Sequence, residues 1–237
     1  MTFRKSEYRT MRAQLDAPAI EPKAIRLWVG LAAFFLPLMM LWLTRNVFLK
    51  SLSHAYCEGG VARDVFVGSL FAIGGFLLTY NDNEGVGLRL ATKLGAMCAF
   101  GVALVPTACP EQKLVATETI HLAFAVGFFS LLVTFCVIFF RRARSKWVRK
   151  SNAFALRRSR IYAACGFGMV VMLLWAALGY FEVSGVYKPA NSYFIAEAVS
   201  MFLFGFSWFT ASHFLPWLCL PQEQLRFRIG RRGGGQE

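Results

Sequence analysis

Six long runs in this chain are almost wholly apolar, at approximately 27–48, 64–81, 90–108, 118–140, 161–181 and 194–220, and short polar connections separate them. Their side chains are apolar all round rather than at every second position. That pattern predicts membrane-spanning helices, because about 20 helical residues at about 1.5 Å each cover a hydrocarbon core of roughly 30 Å. A barrel strand would instead alternate over about ten residues. The expected fold is all-α, a polytopic six-transmembrane-helix bundle forming a single membrane domain over 1–237, with a basic N-terminal arm (1–26) and C-terminal tail (221–237). Leu27 to Thr44 is too long for a signal-peptide core, and Arg45 and Asn46 follow it where a cleavage motif would carry small residues. Composition agrees: 57% of the residues are hydrophobic and 16% charged, against about 25% charged in soluble domains.

Charge adds orientation. Of the 26 Lys and Arg residues, 21 lie on one side: those of the N-terminal arm, the 141–160 connection and the C-terminal tail, together with Arg89 and Lys93. Arg45, Lys50, Arg63, Lys113 and Lys188 are left for the other side. Basic flanks resist translocation, so both termini are expected in the cytoplasm, with loops near 49–63, 109–117 and 182–193 outside. The +13 net charge thereby reads as topology, and nucleic-acid binding is not expected. The 141–160 connection also suits anionic lipids, with Trp147 and Phe154 at the interface and arginines on headgroups. In the arm, Tyr8, Met11 and Leu15 share one face of a short interfacial helix, and "RRGGGQE" has the composition of a disordered tail.

The orientation puts Cys57 and Cys109 outside, where a disulfide can persist, and makes them a candidate pair. Cys98, Cys136, Cys165 and Cys219 read as small packing residues. Asp64, Gly68, Ala72, Gly75 and Thr79 fall within about 80° of one another on a helical wheel, a small and polar stripe that predicts contact with a neighbouring helix. Ala91, Gly95, Ala99 and Ala103 form the matching stripe on the third span. Asp64, His121 and Glu197 each lie near the outer end of a different span, and ionisable residues inside spans are functional candidates. Together with Arg63, Ser53, Tyr56 and Ser200 they define a candidate polar pocket. Asp64, His121 and Glu197 could hold a divalent metal or serve as an acid/base set. A purely structural role is the competing account, because first-turn carboxylates are stabilised by the helix dipole and Asp64 can cap. His213 lies too far along the last span to join them, and no HExxH, GxSxG or phosphate-loop motif occurs.

Ser51-Leu52-Ser53 with Tyr56, Arg63-Asp64, Phe66-Val67-Gly68, Pro106-Thr107, His121, Arg160-Ile161-Tyr162 with Cys165-Gly166, Glu197, and Phe204-Gly205 with Ser207-Trp208 form a scattered pattern. It resembles an uncharacterised family of bacterial six-span integral membrane proteins, and the resemblance implies a bacterial inner-membrane location without naming an activity. The leading expectation is an inner-membrane protein whose outer pocket binds a lipid headgroup, a small ligand or a membrane partner, including a second copy of itself. No cofactor is expected on that reading. The alternative is a lipid-directed membrane hydrolase, with or without a divalent metal, and the third is a transporter component.

Overall fold

In a computed structural model, residues 21–45, 49–80, 85–107, 109, 115–182 and 189–225 are described. The N-terminal arm's predicted face and the glycine-rich tail lie outside them. Among the described residues there are seven α-helices: α1 (Pro22–Leu43), the one-turn α2 (Ala55–Glu58), α3 (Gly60–Thr79), α4 (Val86–Leu104), α5 (Val115–Lys150), α6 (Ala153–Tyr180) and α7 (Ser192–Ala211). All but α2 are long and apolar enough to cross a membrane, as a multi-pass membrane protein requires.

Each spanning helix packs on its neighbour in sequence, and α7 packs on α1, so the six close into a ring. Bulky side chains fill it. Trp208 is fully buried, with the rings of Tyr80, Phe135, Phe139 and Phe204 at centroid distances of 5.9, 5.2, 5.6 and 5.5 Å. The seam that closes the ring is a contact between two backbones. A Cβ on Gly30 would lie 2.8 Å from the Phe209 nitrogen, and one on Gly205 would lie 2.8 Å from the Gly30 oxygen. Only hydrogen fits there, and this is how small residues bring membrane helices close without a hydrophobic driving force.

Several boundaries differ from the sequence reading. The first helix begins at Pro22, not near 27, because proline suits the first helical turn, where no backbone partner is needed for its nitrogen. It stops at Thr44, whose Oγ1 donates to the Met40 carbonyl at 2.7 Å. The last helix ends at Ala211 rather than near 220: His213 takes a positive φ of 58°, and Pro216 opens a separate 3-10 turn. The 141–160 connection is helical except at its middle. Helix α5 runs on to Lys150, and α6 starts at Ala153 after Ser151 (φ 48°) and Asn152, whose Oδ1 accepts from the Phe154 and Ala155 nitrogens at 3.0 and 3.2 Å. Arginine and lysine are good helix formers, so a basic run outside the hydrocarbon can prolong a span instead of ending it. At about 1.5 Å per residue, the 36 residues of α5 extend about 54 Å. The aromatic residues of this hairpin carry cations, with Arg144 4.3 Å from the Trp147 ring centroid and Arg157 5.7 Å from that of Phe154.

Candidate functional site

At the end of the ring away from the α5–α6 hairpin, a 3-10 turn (Leu52–His54) leads into α2 and closes over the helices. Ser51 starts it, its Oγ accepting from the His54 nitrogen at 3.1 Å. Two bonds tie this segment to α7: the Phe194 nitrogen donates to the Lys50 carbonyl at 2.9 Å, and the Leu52 nitrogen donates to Glu197 Oε2 at 2.6 Å. Cys57 and Cys109 are joined as a disulfide, their Cα atoms 5.5 Å apart, and this links α2 to the segment that follows α4.

Beneath the turn lies a cavity of about 30 Å³ with walls from α1, α3, α4, α5 and α7. Ser53, His121 and Glu197 are its polar lining, while Leu36, Phe66, Leu70, Phe128, Phe129 and Met201 make it mostly apolar. His121 is 5% exposed. Its Nδ1 lies 2.6 Å from the Val105 carbonyl, which can only accept, so Nδ1 carries the proton, and Nε2 presents a lone pair when the ring is neutral. That Nε2 is buried without a hydrogen-bond partner. Glu197 offers a carboxyl group to the same space and is held by the Leu52 amide. Ser53 Oγ stands 3.1 Å from Ser51 Oγ.

The predicted cluster is therefore gathered in part. His121, Glu197 and Ser53 share the cavity. Ser200, one turn beyond Glu197, is fully buried with an unpartnered hydroxyl but is not in the cavity wall. Tyr56 is partly buried in α2 and also stays out of it. Asp64 does not join them. Its side chain is 70% exposed and pairs with the exposed Arg63, Nε to Oδ1 3.5 Å. The predicted packing face of α3 is largely turned outward: Gly68, Ala72 and Thr79 are exposed and Gly75 is half-buried, while Phe66, Leu70, Ile73, Gly74 and Leu77 are buried. A ring of six helices leaves a wide interior, which large side chains fill better than a stripe of glycine and alanine. On α4 the small stripe of Ala91, Gly95, Ala99 and Ala103 does face inward. Among the described residues no three His, Cys, Asp or Glu side chains gather as a metal-ligating group, so the proposed Asp64, His121 and Glu197 set is not assembled.

At the opposite end a second cavity, of about 110 Å³, was not anticipated. Arg26 of α1, Arg142 and Lys146 of α5, Arg158 of α6 and His213 line it together with Phe139 and Tyr162. Arg26 and Arg158 are 7% and 2% exposed. Arg26 Nε and Nη2 donate to Tyr80 Oη at 2.8 and 2.5 Å, and Nη1 donates to the Ala211 carbonyl at 3.2 Å. Arg158 Nη1 donates to the Leu218 carbonyl at 2.7 Å. Glu223 reaches in from the segment after α7, accepting from Lys146 and from both Arg158 terminal nitrogens at 3.4 Å. The available signal was two arginines at the heads of apolar runs, which the sequence reading assigned to topology.

Compared with known protein families, curated proteins and solved structures, the chain has no match, and its functional reading rests on these residues.

Proposed function

We propose that this is a bacterial inner-membrane protein, with both termini cytoplasmic, that binds a small ligand or lipid headgroup at its outer end through a terminal hydroxyl or ammonium group. The observation that carries this is the unpartnered Nε2 of His121, buried beside the Glu197 carboxyl in a cavity otherwise lined by hydrocarbon. A buried acceptor left unbonded costs about 1–3 kcal/mol, so the site favours any molecule that brings a donor. Size narrows the choice. At about 10–15 Å³ per enclosed water, the cavity admits about two water-sized groups, which suits the tip of a headgroup and excludes its bulk. Membrane orientation follows from the basic flanks, and the resemblance to bacterial six-span proteins supports the location.

The test is native mass spectrometry of the full chain in nanodiscs containing phosphatidylethanolamine, whose headgroup ends in an ammonium, or phosphatidylcholine, whose headgroup has no N–H donor. Retention of the former, lost on His121→Phe, is the expected result. Equal retention of both lipids would overturn the donor argument.

The second reading is the lipid-directed hydrolase, favoured by Ser53 and His121 lining the same cavity. A serine-directed fluorophosphonate probe would label Ser53 under that reading and leave Ser53→Ala unlabelled. A transport role has less support, because aromatic side chains fill the ring.

A further inference from the structure

We propose that residues 50–58 form a hinged lid over the outer cavity, latched shut by Glu197, and that its opening admits molecules to His121. Access to the cavity is a separate matter from what occupies it. At about 30 Å³ the cavity holds roughly two waters, and the 3-10 turn contributes Leu52 and Ser53 to its lining. Anything larger reaches the buried, unpartnered Nε2 of His121 only when a wall moves. The remaining walls belong to spanning helices packed on one another, whereas the roof is a three-residue turn followed by a four-residue helix. Short elements outside a packed core are where local opening costs least.

The latch and the cavity share a residue. The Leu52 nitrogen donates to Glu197 Oε2 at 2.6 Å, and the same carboxyl group lines the cavity below. A donor entering from outside and the Leu52 amide therefore meet one acceptor group, which couples occupancy of the cavity to release of the turn. The hinge lies at the other end of the segment. Gly59 (φ 70°) and Gly60 (φ 50°) join α2 to α3 in backbone conformations that L side chains rarely adopt. A Cβ built on either would meet nothing within 4 Å, so conformation and not crowding calls for glycine there, and nothing packs against the joint to brace it. A few residues at the end of an element, able to absorb a large change in φ and ψ, make a hinge. Cys57, beside these glycines, is held to Cys109 by the disulfide. That bond pins the pivot, while the latch at Leu52 lies at the opposite end of the lid.

The test reads His121 directly and needs no ligand. The full chain in phosphatidylcholine nanodiscs is treated with diethyl pyrocarbonate, which modifies an unprotonated imidazole nitrogen and is larger than the closed cavity, and each histidine is quantified by peptide mass spectrometry. Amide exchange over 50–58 is followed in parallel. Glu197→Ala deletes the latch and should speed both His121 modification and exchange over 50–58 by about tenfold. Glu197→Gln keeps an oxygen for the Leu52 amide and should stay within about threefold of the wild type. Cys57→Ser with Cys109→Ser releases the pivot without altering the cavity lining, and it should also accelerate both readouts. His213, at the opposite end of the molecule, is the internal control, and its modification should not change. Modification of His121 that is the same in all variants, or that rises together with His213 as in general loosening, would overturn the lid. So would faster modification with unchanged exchange over 50–58, which would place the entrance between the spanning helices.

Discussion

The positive φ of His213 and the 3.3 Å hydrogen bond from its Nδ1 to the Glu223 carbonyl hold the 212–225 segment against Arg26, Lys146 and Arg158. Both side chains respond to acid in the same direction. Because the folded pKa of His213 is about 3 and its ordinary value is 6.5, the unfolded chain takes up that proton first. Stability present above about 6.5 is then lost as pH falls toward 3. At Glu223, burial acts to raise the pKa, but the hydrogen bond and charge of Lys146 and the charge of Arg158 outweigh it and hold the carboxyl below 4.5. Its contribution is full above 4.5 and is lost as pH falls through the folded value. Amide exchange in residues 212–225 should accelerate below about pH 6.5 and accelerate again in the carboxylate range. His213→Asn, a neutral residue that tolerates positive φ, should remove the first step and leave the second. Asp64 provides the contrasting case. With its side chain 70% exposed, Asp64→Asn should change thermal stability by no more than about 0.5 kcal/mol and leave headgroup retention intact.

The seam between α1 and α7 makes a stricter demand on sequence than any polar contact. Adding one methyl at Gly205 brings it within 2.8 Å of the Gly30 oxygen and the Phe34 nitrogen, and neither backbone can yield without moving its helix. Gly205→Ala should therefore destabilise the protein by about 1–3 kcal/mol, read as a lower unfolding temperature by tryptophan fluorescence. Gly68 is the internal control. It lies within α3 with nothing inside 4 Å of a built Cβ, so Gly68→Ala should be neutral or stabilising by up to about 1 kcal/mol, since alanine is the better helix former. The α5–α6 turn carries a separate test: Asn152→Ala removes both capping bonds and should cost about 1 kcal/mol, with fraying confined to the first turn of α6.

For the molecule as a whole, an even number of crossings returns the chain to its starting end, as the bond from Arg26 to the Ala211 carbonyl requires. Reporters inserted at Ser151 should be active only as cytoplasmic fusions, and reporters between Ala190 and Asn191 only as periplasmic ones; the reverse would invert the proposed orientation. The disulfide belongs to that same orientation. Non-reducing peptide mapping of protein from the membrane fraction should find Cys57 joined to Cys109, which an oxidising outer compartment permits and the cytoplasm opposes.

Spans were readable from the chain because length and apolarity are properties of a single helix, and the hydrocarbon core sets both. The inward stripe of α4 was readable for the same kind of reason: small residues at four-residue spacing make a groove whatever fills it. Rotation of α3 was not. Lipid and protein interior are both apolar, so hydrophobicity does not say which face turns inward, and the outcome followed from the volume that Phe66, Leu70 and Leu77 had to fill. His121 and Glu197 could be named as candidates, but their meeting with Ser53 depends on the 3-10 turn docking on α7. The basic cavity depended on tertiary structure most of all. Arg26 and Ala211 are 185 residues apart in sequence, and nothing local to either one reports that α7 closes the ring on α1 and brings buried cations from three helices into one space.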